Sequence, residues 1–355
     1  MATVEQEGIA VENPATGAVI ATVPALSADE VRALAARARA AQPAWEALGF
    51  EERGRVLRRA QQWVTDHRDR IVETIVAETG KTHDDALLNE ILYAAAAFGF
   101  WAKHAAGYLA DEKVRTSSPF VLGRKLVVRY RPLGVIGVIG PWNYPLTNSF
   151  GDCIPAMAAG NAVILKPAEV TPMTSLLMQE CMKECGLPEG IYQVAPGSGS
   201  TLGPELIDLA DMIMFTGSTE TGKKIMERAS HTLTPVSLEL GGKDPMIVLA
   251  DADLERAASA AAYYSMQNGG QTCISVERVY VEAPVYDEFV DKVTRKVAAL
   301  RQGASSGPGT VDVGAITFGP QLDIVRRHVD EARAAGARAL TGGTSREDGG
   351  RFYAP

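Results

Sequence analysis

The sequence predicts an α/β protein built on an open parallel sheet, and three observations carry that expectation. From residue 132 short apolar runs at 135–140, 162–165, 191–194 and 212–215 alternate with helical stretches at about 145–159, 172–185, 200–209 and 219–230. Strand–helix alternation of this kind makes parallel βαβ units. Gly217-Ser218-Thr219-Glu220-Thr221-Gly222 directly follows one of those runs and opens a helix, the place where backbone N–H groups gather a phosphate. The composition, 46% hydrophobic and 22% charged over 355 residues, supplies core for two domains. Residues 1–240 therefore read as a Rossmann-like parallel-sheet cofactor domain with N-terminal helices and an edge strand, and 241–355 as a second α/β domain whose pattern is incomplete at its C-terminal end.

Taken in order, residues 8–26 alternate apolar and polar around Asn13-Pro14-Ala15-Thr16-Gly17, a strand–turn–strand signal. Ser27 and Glu30 form a capping box ahead of an Ala/Arg-rich helix that reaches Trp45. Further helices fit 50–78, closed by Thr79-Gly80, and about 82–109. Residues 124–130 alternate as an exposed or edge strand, a candidate for pairing with a second subunit. After the βα units come strands at 236–240 and 246–249, a helix capped by Asp253, a strand at 277–281, and helices at 285–300 and 320–335.

Composition also excludes partners. Lys plus Arg number 35 and Asp plus Glu 43, a net charge of −8, whereas nucleic acid and anionic membranes both need a positive surface. Arg53, Arg55, Arg58 and Arg59 are interleaved with Glu51 and Glu52 and read as a solvated helix face. Four cysteines in a chain this long make no disulfide framework. Cys181 and Cys185 stand four apart without a third ligand, so no metal site is expected. The N-terminus has no basic or apolar leader pattern, and the longest apolar run, 91–102, is too short to span a bilayer. The expected setting is reducing cytoplasm.

Several residues carry chemistry. Read as a P-loop, Gly217 to Lys224 needs Ser or Thr after Lys223 and has Lys224, and Glu220 would repel a triphosphate. A dinucleotide pyrophosphate, which needs amides and no metal, fits better; a plain strand-to-helix turn is the alternative. Cys273 follows Gly269-Gly270-Gln271-Thr272, flanks that expose backbone amides as a reactive thiolate requires, whereas Cys153 reads as a small core residue. Glu239 ends an apolar strand before Gly241-Gly242-Lys243, either paired with Lys243 or acting as a base raised by desolvation. Asn143, in Pro141-Trp142-Asn143-Tyr144-Pro145, offers an NH₂ donor at the carboxyl end of a strand, or else stabilises the turn.

Together PWNYP, KPAE (166–169), FTGSTETG, LELGGKDP and GQTCISVERVYV resemble the aldehyde dehydrogenase superfamily, over nearly the whole chain. The resemblance implies Cys273 as nucleophile, Asn143 with the Cys273 N–H as oxyanion donors, and Glu239 as the base for hydrolysis. It implies cofactor contacts from Trp142, Lys166, Glu169, Gly197, Gly217, Ser218, Gly222, Leu240 and Gln321. The cofactor would be NAD in preference to NADP, because Glu169 would repel a 2′-phosphate. Relatives continue into a later Glu-x-Phe-Gly-Pro segment, a substrate loop and an oligomerisation strand absent here. The 355-residue chain is therefore expected to turn over little, and a full-length form to be a homodimer or tetramer. A non-catalytic nucleotide-binding protein is the rival expectation.

For substrate, relatives specific for succinic semialdehyde place an arginine where Gly151 stands. Tyr144, Asn148 and Gly151, with Phe150, are then expected to line an uncharged aldehyde of medium size, with succinic semialdehyde as the alternative.

Overall fold

The computed structural model describes residues 8–115, 118–346 and 349–355; residues 1–7, where the sequence shows no leader pattern, lie outside the described residues. β1 (Gly8–Glu12) and β2 (Val19–Pro24) pair antiparallel across the expected turn, where Asn13 accepts from the Ala15 N–H at 2.9 Å. The capping box forms at the head of α1 (Ala28–Ala47): Ser27 Oγ accepts from the Glu30 N–H and the Glu30 carboxylate accepts from the Ser27 N–H at 2.7 Å.

The helix expected over 50–78 is two, α2 (Gly49–Asp66) and α3 (Arg68–Thr79). His67 leaves helical dihedrals between them (φ −106°, ψ 17°) with its ring stacked 4.1 Å from Trp63. The one expected over 82–109 is α4 (His83–Ala86), a π-helical turn at Leu87–Ile91 and α5 (Leu92–Tyr108). A short strand that the sequence did not announce, β3 (Glu112–Val114), pairs antiparallel with β4 (Leu126–Val128), which is shorter than the 124–130 expected.

The main sheet then forms in sequence: β5 (Val135–Ile139), a π-helical turn at Pro145–Phe150, α6 (Cys153–Ala158), β6 (Ala162–Lys166), α7 (Met173–Glu184), β7 (Tyr192–Val194), α8 (Gly199–Leu209), β8 (Met212–Gly217), α9 (Thr219–Ser230) and β9 (Val236–Leu240). Its order is β7-β6-β5-β8-β9 with every pair parallel. The chain builds outward from β5 in one direction and returns to β5's other side with β8. Between these two strands the loops diverge, leaving a crevice at their carboxyl ends. Buried Val135, Val138, Val163, Ile164, Leu165 and Ile213 give the sheet its core, as expected for strands covered on both faces.

A separate parallel pair follows, β10 (Asp244–Val248) and β11 (Val276–Val281), with α10 (Leu254–Met266), α11 (Tyr286–Ala298) and α12 (Gly319–Ala334). A small cluster of Val248, Ala258, Ala261 and Phe289 holds it. The last residues return to the first hairpin, the Arg351 N–H donating to the Pro14 carbonyl at 2.8 Å. Among the described residues no helix is long and apolar enough to cross a membrane.

Candidate active site

Two regions gather the candidate residues. At the crevice, the loop after β5 carries Trp142 and Asn143, and the loop after β8 carries Ser218, the N-cap of α9. Ser218 Oγ donates to Thr221 Oγ1 at 2.9 Å and accepts from the Thr221 N–H at 3.2 Å, so its hydroxyl orders the helix start where a phosphate would bind. A cleft of about 620 Å³ opens between α8 and α9, lined by Ile139, Lys166, Gly199, Ile207, Thr221 and Ile225. Its apolar walls suit a flat base, and its few polar groups suit a ribose.

Lys166 is buried and donates to the Pro167 carbonyl at 2.8 Å. Burial holds its ammonium below the ordinary lysine value, offset in part by Glu169. Glu169 is exposed on the cleft rim and accepts from the Gly199 N–H at 2.6 Å. A Cβ on Gly199 would sit 3.6 Å from Lys166 and 3.7 Å from Glu169, so the glycine leaves both polar groups open to a ligand. These residues fit a nucleotide.

The other expected cofactor contacts also have packing roles. Gly222 is buried, and a Cβ there would come within 2.9 Å of Leu240, so the glycine lets α9 lie close on β9. Gly197 is buried against Leu202, 2.4 Å from where its Cβ would be. Gly217 abuts the Phe215 ring, and Leu240 is half-buried at the end of β9. Trp142 meets Phe318 ring to ring at 5.7 Å, which draws the first turn of α12 and its Gln321 towards the crevice.

The cysteine site depends on a reversal of the chain. Asn268, Gly269 and Gly270 take successive left-handed conformations (φ 51°, 65° and 75°) after α10, which asparagine and glycine tolerate best. The turn presents Cys273, the one exposed cysteine; Cys153, Cys181 and Cys185 are buried. Asn143 Nδ2 donates to the Gln271 carbonyl at 2.9 Å, two residues before the cysteine. A primary amide has a second N–H. Tyr144 Oη lies 2.8 Å from Thr272 Oγ1. On the other side, a Cβ on Gly242 would lie 4.0 Å from the Cys273 carbonyl, so the loop after β9 comes alongside.

Glu239, on β9 before that loop, is exposed, which corrects the expected desolvation. Burial falls on Asp152 instead, whose carboxyl is pushed up to about 6 by burial and by the charge of Glu239. The expected substrate lining is also corrected. Phe150 is in the core against Phe98 and Tyr192. Tyr144 is buried and tied to Thr272, its hydroxyl pushed up by burial. A Cβ at Gly151 would fall 1.9 Å from the Thr147 carbonyl and 3.0 Å from the Tyr93 ring, so the missing side chain leaves no open space there. Asn148 is half-buried, its N–H donating to the Tyr144 carbonyl at 2.9 Å.

Sequence reasoning missed Lys81, Glu90, Asn268 and Gln271. Lys81 and Glu90 form an ion pair at 2.5 Å with both side chains fully buried. Gln271 Nε2 donates to the Asn268 carbonyl at 2.8 Å, and its Oε1 accepts from the Thr317 N–H at 2.8 Å. Two charges nine positions apart in helical sequence ordinarily mean solvent; the signal available was Thr79-Gly80-Lys81, a helix stop followed by a lysine.

A switch-point crevice with a nucleotide-sized cleft, beside a glycine turn presenting a cysteine, defines the class of dinucleotide-binding α/β proteins that carry a reactive thiol. Within that class the chain belongs to the aldehyde dehydrogenase family, whose profile matches residues 2–355. It is 41% identical over 346 residues to a putative succinate-semialdehyde dehydrogenase [NADP(+)] of Mycolicibacterium smegmatis, covering 97% of this chain and 66% of that protein. The fold superposes on an NADP-dependent enzyme of Escherichia coli with a TM-score of 0.94 at 36% identity, over 98% of this chain and 72% of the other. It also superposes on an aldehyde dehydrogenase of Bacillus cereus in its NAD+ complex, with a TM-score of 0.93 at 30% identity, over 98% and 70%. The chain thus spans about two thirds of the length of the curated relatives it matches, 66% and 65% for two of them.

Proposed function

We propose that the chain carries the nucleotide-binding and cysteine-bearing parts of an NAD(P)-dependent aldehyde dehydrogenase, divided near residues 240 and 241. The bond from Asn143 to the backbone of the Cys273 loop supports this reading most strongly, since it ties that amide to the turn that carries the exposed thiol and leaves its second N–H for another acceptor. The Cys273 thiolate attacks the aldehyde carbon, forming a C–S bond and an oxyanion that Asn143 and the Cys273 N–H hold. Bound NAD(P)+ supplies the acceptor for the hydride that leaves this carbon. Glu239 then takes a proton from the water that hydrolyses the thioester, releasing the acid and the thiolate. Lys166 and Glu169 hold the ribose end of the nucleotide, and Ser218 with the start of α9 its phosphates.

Glu169 supports NAD over NADP. At an effective dielectric near 20, like charges about 4 Å apart repel by roughly 4 kcal/mol, discounted here by exposure and by Lys166. The M. smegmatis relative is named for NADP(+) and makes that cofactor the competing outcome. For substrate, Asp152 and Glu239 disfavour a second carboxylate and support an uncharged, medium-size aldehyde; the name of the same relative favours succinic semialdehyde. The strand β4 edge supports a homodimer or tetramer, the net charge of −8 supports a protein without nucleic-acid partners, and the four free cysteines support a reducing, cytoplasmic setting.

The test is aldehyde-dependent NAD(P)H formation by the full-length protein on an aldehyde panel. Cys273→Ala is expected to abolish it; survival of activity in that variant sinks the mechanism. Hexanal or benzaldehyde is expected to exceed succinic semialdehyde in kcat/KM. A tenfold advantage for the semialdehyde, about 1.4 kcal/mol, overturns the substrate reading.

A further inference from the structure

Lys81 is nowhere near the surface. Both it and Glu90 have fully buried side chains, joined at 2.5 Å. The remaining bonds of the pair all run to one short stretch. Lys81 Nζ donates to the Asn143 carbonyl at 2.8 Å and sits 4.0 Å over the Tyr144 ring. The other Glu90 oxygen accepts from the Leu146 N–H at 2.8 Å and the Thr147 N–H at 2.9 Å. Two opposite charges thus grip residues 143–147 from both ends, Glu90 capping the π-helical turn and Lys81 holding the peptide that starts it. Asn268 Nδ2 reaches the same Asn143 carbonyl at 3.1 Å, tying the grip to the cysteine turn.

A buried pair is a poor device for stability alone, because apolar residues of similar volume generally hold a core as well or better. Fixing a donor in place is a different matter, since an oxyanion donor works only if its position is set before charge develops. The ammonium also lies against the carbonyl of the residue whose amide would face the oxyanion.

We propose that Lys81, with Glu90 as its counter-ion, is a positioning residue for the Asn143 oxyanion donor. The inference rests on the role given to Asn143 above. Lys81 touches no reacting atom and acts through the Asn143 peptide.

The test separates two reactions of the same thiol on the full-length protein. With p-nitrophenyl acetate the Cys273 thiolate forms a C–S bond to the acyl carbon through an oxyanion and expels p-nitrophenolate, which reads the donor and needs no nucleotide. With iodoacetamide it displaces iodide at a saturated carbon, forms no oxyanion, and reads only exposure and thiolate content. The variants are Lys81→Met and the doubly neutral Lys81→Met/Glu90→Gln, which leaves no unpaired charge and keeps the test usable if the single variant does not fold. Asn143→Ala is the reference.

The expected result is at least tenfold slower ester acylation in the Lys81 variants, with iodoacetamide alkylation within twofold of the parent. Equal slowing of both reactions, the mark of a merely structural role, overturns the proposal, as does unchanged acylation. If Asn143→Ala itself acylates at the parent rate, the reading of Asn143 fails. If Asn143→Ala is slow and the double variant is not, only the positioning role of Lys81 fails.

Discussion

The nucleotide site draws its residues from consecutive βα units, each within a few positions of a strand end: Lys166 at the end of β6 and Glu169 just after it, Gly199 at the head of α8, Ser218 after β8. The cysteine site draws on stretches that only the tertiary fold brings together, namely residues 78–90, 141–148, 268–273 and 315–317. The cleft is walled by apolar side chains such as Ile139, Ile207 and Ile225 around helix starts, so conservative apolar changes there keep its shape. The cysteine site is made by side chains bonded to distant carbonyls, so its geometry depends on the identity of each of those side chains. Local geometry makes a robust binding surface, and long-range polar ties make a demanding reactive one.

The largest way to break that contrast is at the buried pair. Lys81→Met leaves Glu90 charged and unpaired in the interior, a loss of about 3–5 kcal/mol in urea denaturation, while Glu90→Gln added to it restores most of the stability. A single-variant loss below about 1 kcal/mol shows instead that the pair is solvated and that the two regions are alike in tolerance.

Next comes the cysteine turn. Gly270→Ala places a Cβ at φ 75° and 3.0 Å from the Ser265 carbonyl, and should destabilise by about 1–2 kcal/mol. At Gly203, in the first half of α8, a Cβ meets nothing within 4 Å, so Gly203→Ala should be neutral or stabilising in the same melts. Equal losses at both positions erase the distinction between the regions.

A third substitution sharpens the comparison from the nucleotide side. Glu169→Gln removes the charge on the cleft rim while leaving an amide oxygen to accept from the Gly199 N–H. The kcat/KM ratio of NADP to NAD should rise tenfold or more, with the Cys273 alkylation rate untouched. A ratio that does not move sinks the account of cofactor choice.

The last test is one of pH. Glu78 is buried and its carboxyl is pushed up to about 7, chiefly by burial, against the hydrogen bonds from Met173 and Thr174. An acid whose folded value lies above its unfolded one binds its proton more tightly when folded. Its contribution to stability is full below about pH 4.5 and is lost as pH rises through about 7. Glu78→Gln should flatten that part of the profile; an unaltered slope between pH 4.5 and 7 rules Glu78 out as its source.

The same contrast explains what could be read in the chain before its fold was known. Strand and helix positions of the main sheet follow from alternation and from Gly or Pro punctuation, and the observed β5 to β9 lie within two residues of the runs expected. The hairpin and the Ser27 capping box are local and were legible too. The broken helices were not: the break at His67 accompanies a ring stacked one turn back on Trp63, and the π turn at Leu87–Ile91 carries a buried glutamate whose amide partners are distant in sequence. Cys273 stood out through its glycine flanks. The substrate lining was misjudged because Phe150 and Tyr144 look the same in sequence whether they face a tunnel or a core, and a missing Cβ at Gly151 looks like space where a π turn has brought a carbonyl.

The buried run Glu78 to Lys81 has a consequence for how the molecule opens. Glu78 accepts from the Met173 and Thr174 amides at the head of α7, the Thr79 carbonyl accepts the Thr317 hydroxyl, the Gly80 carbonyl accepts the Ala315 N–H, and Lys81 holds Glu90 and Asn143. Displacing these four residues strips partners from every one of those stretches at once, so none can open alone at low cost. Amides at the start of α7, at 315–317 and at 146–147 should therefore exchange with deuterium together, at one common free energy of opening. Stretches far apart in sequence would then come apart as a single cooperative unit, fastened at one short strip of chain.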